Sequence, residues 1–169
     1  MVRYVFGPAL LALIFYLVGC ATKAPPREYN LAHFEPAPGL ATVVLYRPNK
    51  FLASMGGPVM LFDGASLGVF PNDSLATFPV SPGHHYLEAV PSKDWVGGTG
   101  DALSFSVSPG KVYFLKVYPE GLDYVMIGMA PVLITGFHLR VMESNIALPE
   151  LSRLKDISSS ASTPVGHIR

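Results

Sequence analysis

VMLFDGASLGVF, residues 59–70, is the stretch whose reading decides the fold. Two short apolar runs flank Asp63-Gly64, a dipeptide suited to a tight hairpin turn because such turns need positive φ at their central positions. The stretch therefore predicts two antiparallel strands rather than a helix.

The same punctuation continues in both directions. Upstream, ATVVLYRP (41–48) is a β-branched and aromatic run stopped by Pro48. Downstream, LATFPV (75–80) ends in Ser81-Pro82-Gly83, a triplet that recurs as Ser108-Pro109-Gly110. Both triplets suit a type II turn, with Pro setting φ at the second position and Gly accepting positive φ at the third. HHYLEAV (84–90) and KVYFLKVY (111–118) follow these turns as expected strands. Between them LSFSVS (103–108) alternates, so Leu103, Phe105 and Val107 should face a core while the serines face water. Eight or nine strands at this spacing predict an all-β protein, an antiparallel sandwich of prealbumin-like or immunoglobulin-like form.

YVMIGMAPVLITGFHL (124–139) is apolar throughout, but Gly128, Pro131 and Gly136 oppose a helix and the run is shorter than a membrane span. Buried strands are expected there. ALPELSRLK (147–155) predicts a short C-terminal helix with Pro149 in its first turn and Leu148, Leu151 and Leu154 on one face. ISSSASTPVGHIR (157–169) is too polar and simple to pack and reads as a disordered tail.

A chain of 169 residues is about one domain. Lys and Arg number 12 against 12 Asp and Glu, so no basic footprint for nucleic acid exists and that partner class is dropped. Gly and Pro at 16 each, with only 14% charged residues, agree with short strands and tight turns.

Location is read from the amino terminus. Arg3 precedes a nearly unbroken apolar run, Tyr4 to Val18, of the length of a signal-peptide core. Leu17-Val18-Gly19-Cys20 follows, and it resembles the bacterial lipobox. The resemblance implies cleavage between Gly19 and Cys20, a diacylglyceryl group on the Cys20 thiol and acylation of the new amino terminus. Two or three acyl chains hold a protein on a membrane where one is marginal. An uncleaved transmembrane anchor is the rival reading; the short run and the Gly7-Pro8 inside it oppose that. Ala21 stands where an Asp would signal inner-membrane retention in many Gram-negative bacteria, which favours the outer membrane with the domain in the periplasm. Cys20 is the only cysteine, so no intrachain disulfide can form and stability must come from packing. The expected organisation is a signal peptide over 1–19, lipidated Cys20 and a Pro-rich tether over 20–40, a sandwich over 41–156 and the tail over 157–169. His33 and Phe34 are the tether residues able to dock on the domain.

Ala41-Thr-Val-Val-Leu-Tyr46-Arg47-Pro48, the Asp63-Gly64 hairpin with Gly68 four residues on, Ser81-Pro82-Gly83-His84, and Ser108-Pro109-Gly110-Lys111-Val-Tyr113 together resemble a family of small bacterial envelope lipoproteins of uncharacterised function. The resemblance spans roughly 40–155. It implies a β-sandwich related to PEGA-type envelope modules and carries over no catalytic residue.

Motifs that could carry chemistry have blander readings. Gly64-Ala65-Ser66-Leu67-Gly68 matches the G-x-S-x-G of a serine-hydrolase elbow, yet the residues after it, Val69-Phe70-Pro71, cannot open the helix that an elbow requires. A hydrolase using Ser66 is thus the weaker alternative to a hairpin. Adjacent His84 and His85 point to opposite faces of a strand and cannot share one metal ion; no metal or other cofactor is expected. Val96-Gly-Gly-Thr-Gly-Asp101 leads into a strand rather than a helix, so it lacks the helix terminus that holds phosphate. Lys93, Asp94 and Trp95 beside it are the candidate partner contacts, because a loop aromatic supplies both area and hydrogen bonding; the blander reading is a Trp tucked against its own domain. The chain therefore reads as a lipid-anchored, non-enzymatic binding or assembly module for an envelope protein or glycan. A subunit that also meets the membrane through 124–139 is a further alternative.

Overall fold

The computed structural model describes residues 26–50, 56–92, 99–127 and 130–159, with the backbone alone over 121–135. A 3-10 turn at Leu31–Phe34 precedes β1 (Ala41–Arg47), β2 (Val59–Phe62), β3 (Ala65–Val69), β4 (Ser74–Val80) and β5 (Gly83–Val90). Then come β6 (Asp101–Val107), β7 (Val112–Ile127), β8 (Ala130–Met142), helix α1 (Ser144–Leu151) and β9 (Lys155–Asp156). Sheet A has the order β8-β7-β1-β4-β9 and sheet B the order β3-β2-β5-β6. The molecule is an all-β sandwich with a short C-terminal helix.

Local chemistry explains most of these elements. Asp63 and Gly64 adopt φ of 50° and 78°, the left-handed pair that a two-residue hairpin requires, and β2 and β3 pair antiparallel around them. Gly110 takes φ 70°, as a type II turn demands. Gly83 differs: at φ 145° it is already the first residue of β5, paired with Val107, because extended pairing rather than a closed turn receives the chain there. Leu87, Ala89, Phe105 and Val107 are buried while Ser104 and Ser106 face solvent, the alternation expected of a half-covered sheet.

Sheet A carries two parallel pairs, β1 with β7 and β4 with β9, among otherwise antiparallel neighbours. The inner faces of both sheets meet in one cluster that includes Val43, Leu45, Met60, Phe62, Phe78, Leu87, Phe105, Leu115 and Phe137. A second cluster lies on the other face of sheet A. Val44, Tyr46, Leu75 and Phe114 are covered there by Ala147, Leu151, Leu154 and Phe34. Burial on both faces is why β1 reads as an unbroken apolar run.

Phe34 docks as the sequence allowed, edge-on to Phe114 at 5.8 Å and stacked on Tyr29 at 5.5 Å. The Arg27 N–H donates to the Ser152 carbonyl at 2.8 Å, so the segment before β1 is attached from Arg27 onward. The helix begins three residues earlier than expected and holds Pro149 in its last turn. Ile146 and Ala147 donate to the Glu143 carbonyl, which starts the helix there, and pairing of Lys155 with Ser74 ends it early. Ile157 and Ser158, expected in the tail, are tied to β4: the Ile157 N–H donates to Leu75 O and the Thr77 N–H to Ser158 Oγ. Residues 124–139 are strand apart from 128–129, which lie outside the described residues, and Phe137 and Leu139 are buried.

Candidate binding cleft

β5 and β6 separate after their last pair, Ala89 with Asp101, and open a cleft of about 420 Å³. Glu88, Ala89, Val90 and Pro91 line one side, and Gly100, Asp101 and Ala102 the other. Glycine is required at position 100, where a side chain would overlap the Ala89 carbonyl oxygen. Asp101 is occupied structurally: one carboxylate oxygen accepts the Ala102 N–H and the other accepts the Leu139 N–H, both at 2.8 Å. With Phe137 N–H donating to Thr99 O, these bonds fasten the start of β6 to β8, and so sheet B to sheet A.

The cleft adjoins the outer face of sheet B, which no other element of the described residues covers with a core cluster. Register places Val69, Val59 and Val90 side by side across β3, β2 and β5. Val69 is 56% exposed and Val90 39%, and Tyr86, four residues from Val90 along the same face of β5, is 41% exposed. An apolar row next to a cleft can bury area against a partner, and Glu88 supplies a charged acceptor at its margin. Lys93, Asp94 and Trp95 lie outside the described residues. Cys20 also lies outside the described residues.

Both histidines of β5 have structural partners on opposite faces. His84 faces outward and bonds Ser106 Oγ at 2.9 Å. His85 turns inward, stacks on Phe62 at 5.2 Å, and meets Asp63 Oδ2 at 2.7 Å and Ser81 O at 2.8 Å. Asp63 Oδ1 accepts the Tyr86 N–H at 2.8 Å, so this residue both forms the hairpin turn and ties it to β5. Among the described residues no three His, Cys, Asp or Glu side chains converge as a metal site. Ser66 sits within β3, its Oγ accepting the Gly68 N–H at 3.2 Å, and the chain continues as strand to Val69.

Two buried polar groups were not anticipated from sequence. Tyr46 is fully buried and donates to Glu150 Oε2 at 2.8 Å, while Lys116 Nζ reaches Glu150 Oε1 at 2.6 Å. Burial, and then the Glu150 carboxylate, push the Tyr46 phenol well above its ordinary range. Arg47 is also fully buried; it donates to Phe70 O at 2.7 Å and Gly56 O at 2.9 Å and lies over the Phe137 ring at 4.9 Å. Desolvation pulls its guanidinium down to about 10. The first arrangement binds β1, β7 and α1 together, and the second pins the segment after β1 to the end of the β2–β3 hairpin. The only sequence signal for either was a Tyr-Arg-Pro sequence closing an apolar strand.

Compared with family models, with curated proteins and with solved structures, the chain matches none. Among the described residues no helix is long and apolar enough to cross a membrane.

Proposed function

We propose that this chain is a lipid-anchored lipoprotein of the bacterial outer membrane. Its sandwich faces the periplasm as a non-enzymatic binding or envelope-assembly module. The observation that carries the reading is Leu17-Val18-Gly19-Cys20 at the end of an apolar run of signal-peptide length. Ala21 supports the outer rather than the inner membrane. The cleft between β5 and β6, with the apolar row of Val69, Val59 and Val90 beside it, supports binding of an envelope protein or glycan. The resemblance of the Tyr-Arg-Pro strand, the Asp-Gly hairpin and the Pro-Gly turns to small envelope lipoproteins points the same way.

Metabolic labelling with an alkyne fatty acid tests the anchor. The wild-type chain should take up label and the Cys20→Ser variant should not; persistent labelling of the variant would end the proposal. Crosslinking the anchored protein through Tyr86 or Val90 positions, followed by identification of what is captured, then names the partner.

A further inference from the structure

Two features of the topology meet at one end of the molecule. β1 finishes at Arg47, opposite the first residue of β4, and β9 joins β4 at that same end. Ser152 lies just before β9 and accepts the Arg27 N–H, so the N-terminal segment enters the fold there before running down sheet A to β1. β7 runs parallel to β1, passes Lys116 opposite Tyr46, and continues toward that end as far as Ile127. Beyond Lys116 its only ladder partner among the described residues is β8, and β8 pairs with nothing but β7.

The sequence of this two-stranded extension is apolar on both of its faces. Tyr124, Val125, Met126 and Ile127 pair with Leu133, Val132, Pro131 and Ala130, and Ile134 follows; none carries charge. The first charges below them are Asp123 and Glu120 on β7 and Arg140 on β8. An isolated two-stranded ribbon is marginal in water, and one apolar on both faces needs an apolar surrounding.

We infer that the end of this hairpin, residues 124–127 and 130–134, enters the headgroup–acyl boundary of the membrane that holds the protein. Its route there rests on the lipid anchor proposed at Cys20. Seven residue steps separate Cys20 from Arg27, at most about 25 Å of extended chain. A bulge between Glu120 and Asp123 absorbs one residue of β7, so beyond Lys116 the hairpin is at most about 33 Å long, the ten steps of β8 from Arg140 to Ala130 at ~3.3 Å per residue. The tether is shorter than the hairpin and leaves from the same end, so the membrane surface lies within the hairpin's reach. Depth is limited by hydrogen bonding. Among the described residues each arm keeps one row of backbone N–H and C=O groups without a ladder partner, and such an edge is not tolerated in the hydrocarbon centre. Contact is therefore shallow, at the level reached by interfacial segments. Charge does not drive it: exposed Arg27, Lys50, Arg153 and Lys155 share this end with Glu28, Asp73, Glu120 and Asp156. The contact is accordingly insensitive to salt.

The test uses the full chain purified from membranes and reconstituted in phosphatidylcholine vesicles whose acyl chains carry bromine at shallow or deep positions. Val125→Cys and Val132→Cys each receive an environment-sensitive fluorophore, with Ser106→Cys at the opposite end of sheet B as the reference. Strong quenching at 125 and 132, greater from shallow than from deep bromine and unchanged by salt, with none at 106, is the expected result. Emission from water at both hairpin positions overturns the inference. So does a blue shift without quenching, which would identify a protein or a second copy as the cover, and so does stronger quenching from deep bromine. The mass of the N-terminal peptide separates the two readings: an acylated Cys20 with unquenched hairpin positions defeats this contact alone, whereas an unmodified Cys20 with quenched ones defeats the anchor alone.

Discussion

Removing the Glu150 carboxylate should reveal how the outer layer of sheet A is held. Glu150→Ala leaves the Tyr46 hydroxyl, fully buried, without its acceptor, and takes the partner from Lys116. An orphaned buried donor costs about 1–3 kcal/mol, and a part-exposed ion pair adds at most about 1 kcal/mol. Glu150→Ala should therefore lose about 1–4 kcal/mol. Tyr46→Phe deletes the donor itself, keeps the ring in its cluster and leaves Glu150 on Lys116, so about 1–2 kcal/mol is expected. In the double variant no hydroxyl is stranded, and the two losses should fall short of additivity by about 1–2 kcal/mol.

Alkaline pH supplies an independent readout of the same bond. The folded phenol is raised above its ordinary 10.0, first by burial and then by Glu150. A raised group contributes fully below the unfolded value and loses that contribution as pH climbs past it. From pH 10.0 upward wild type should thus lose up to about 1.4 kcal/mol per pH unit that Tyr46→Phe does not lose. Arg47, lowered to about 10, shifts stability the opposite way between there and its ordinary 12.5, but equally in both proteins, so it cancels in the difference. Urea denaturation followed by circular dichroism, at about pH 8 and about pH 11, measures every term. Coupling within about 0.5 kcal/mol of zero, or a gap between wild type and Tyr46→Phe that does not change with pH, would refute the reasoning.

Phe34→Ala should cost about 3–4 kcal/mol by emptying a site that is 5% exposed, and should speed tryptic cutting at Arg27 as the N-terminal segment leaves sheet A. Unchanged stability and cutting would mean the segment is not held by this ring. Gly57→Ala should destabilise by about 2 kcal/mol or more in denaturant, because the new methyl overlaps the Phe70 carbonyl and crowds Arg47 Nη1. Gly110→Ala has open space around it and should lose only the roughly 1 kcal/mol of its positive φ; equal losses at the two positions would contradict this account.

The Asp63-Gly64 hairpin and the Ser108-Pro109-Gly110 turn were legible because their causes are local, whereas at Ser81-Pro82-Gly83 strand pairing of Gly83 with Val107 replaced the expected turn. Asp63-Gly64 forms its turn from its own φ preferences, and the Leu103, Phe105 and Val107 alternation needs only the period of a strand. The helix was misplaced by three residues because its limits come from elsewhere: a carbonyl at Glu143 and a strand partner at Ser74 outweigh Pro149's preference for a first turn. Ile157 and Ser158 looked like tail for the same reason, since only β4 gives their backbone something to bond.

Lys93, Asp94 and Trp95, the candidate partner contacts, lie outside the described residues, and nothing in the chain placed Val69, Val59 and Val90 in one row, which is a matter of register across three strands. Tyr46 and Arg47 likewise read as the end of a strand, while their burial depends on α1, on the β2–β3 hairpin and on Phe137.

Sequence alone determined the strand-and-turn class of the domain and the absence of a disulfide within these 169 residues, and it alone carries the proposal of a lipid hook at Cys20, because propensity, composition and a short motif act without distant partners. Only the tertiary structure decided that β7 lies parallel to β1, that both faces of sheet A are covered, and that the N-terminal entry and the apolar hairpin share one end. Those are pairings between segments far apart in the chain, selected by which surfaces can be buried together, and no local stretch carries them.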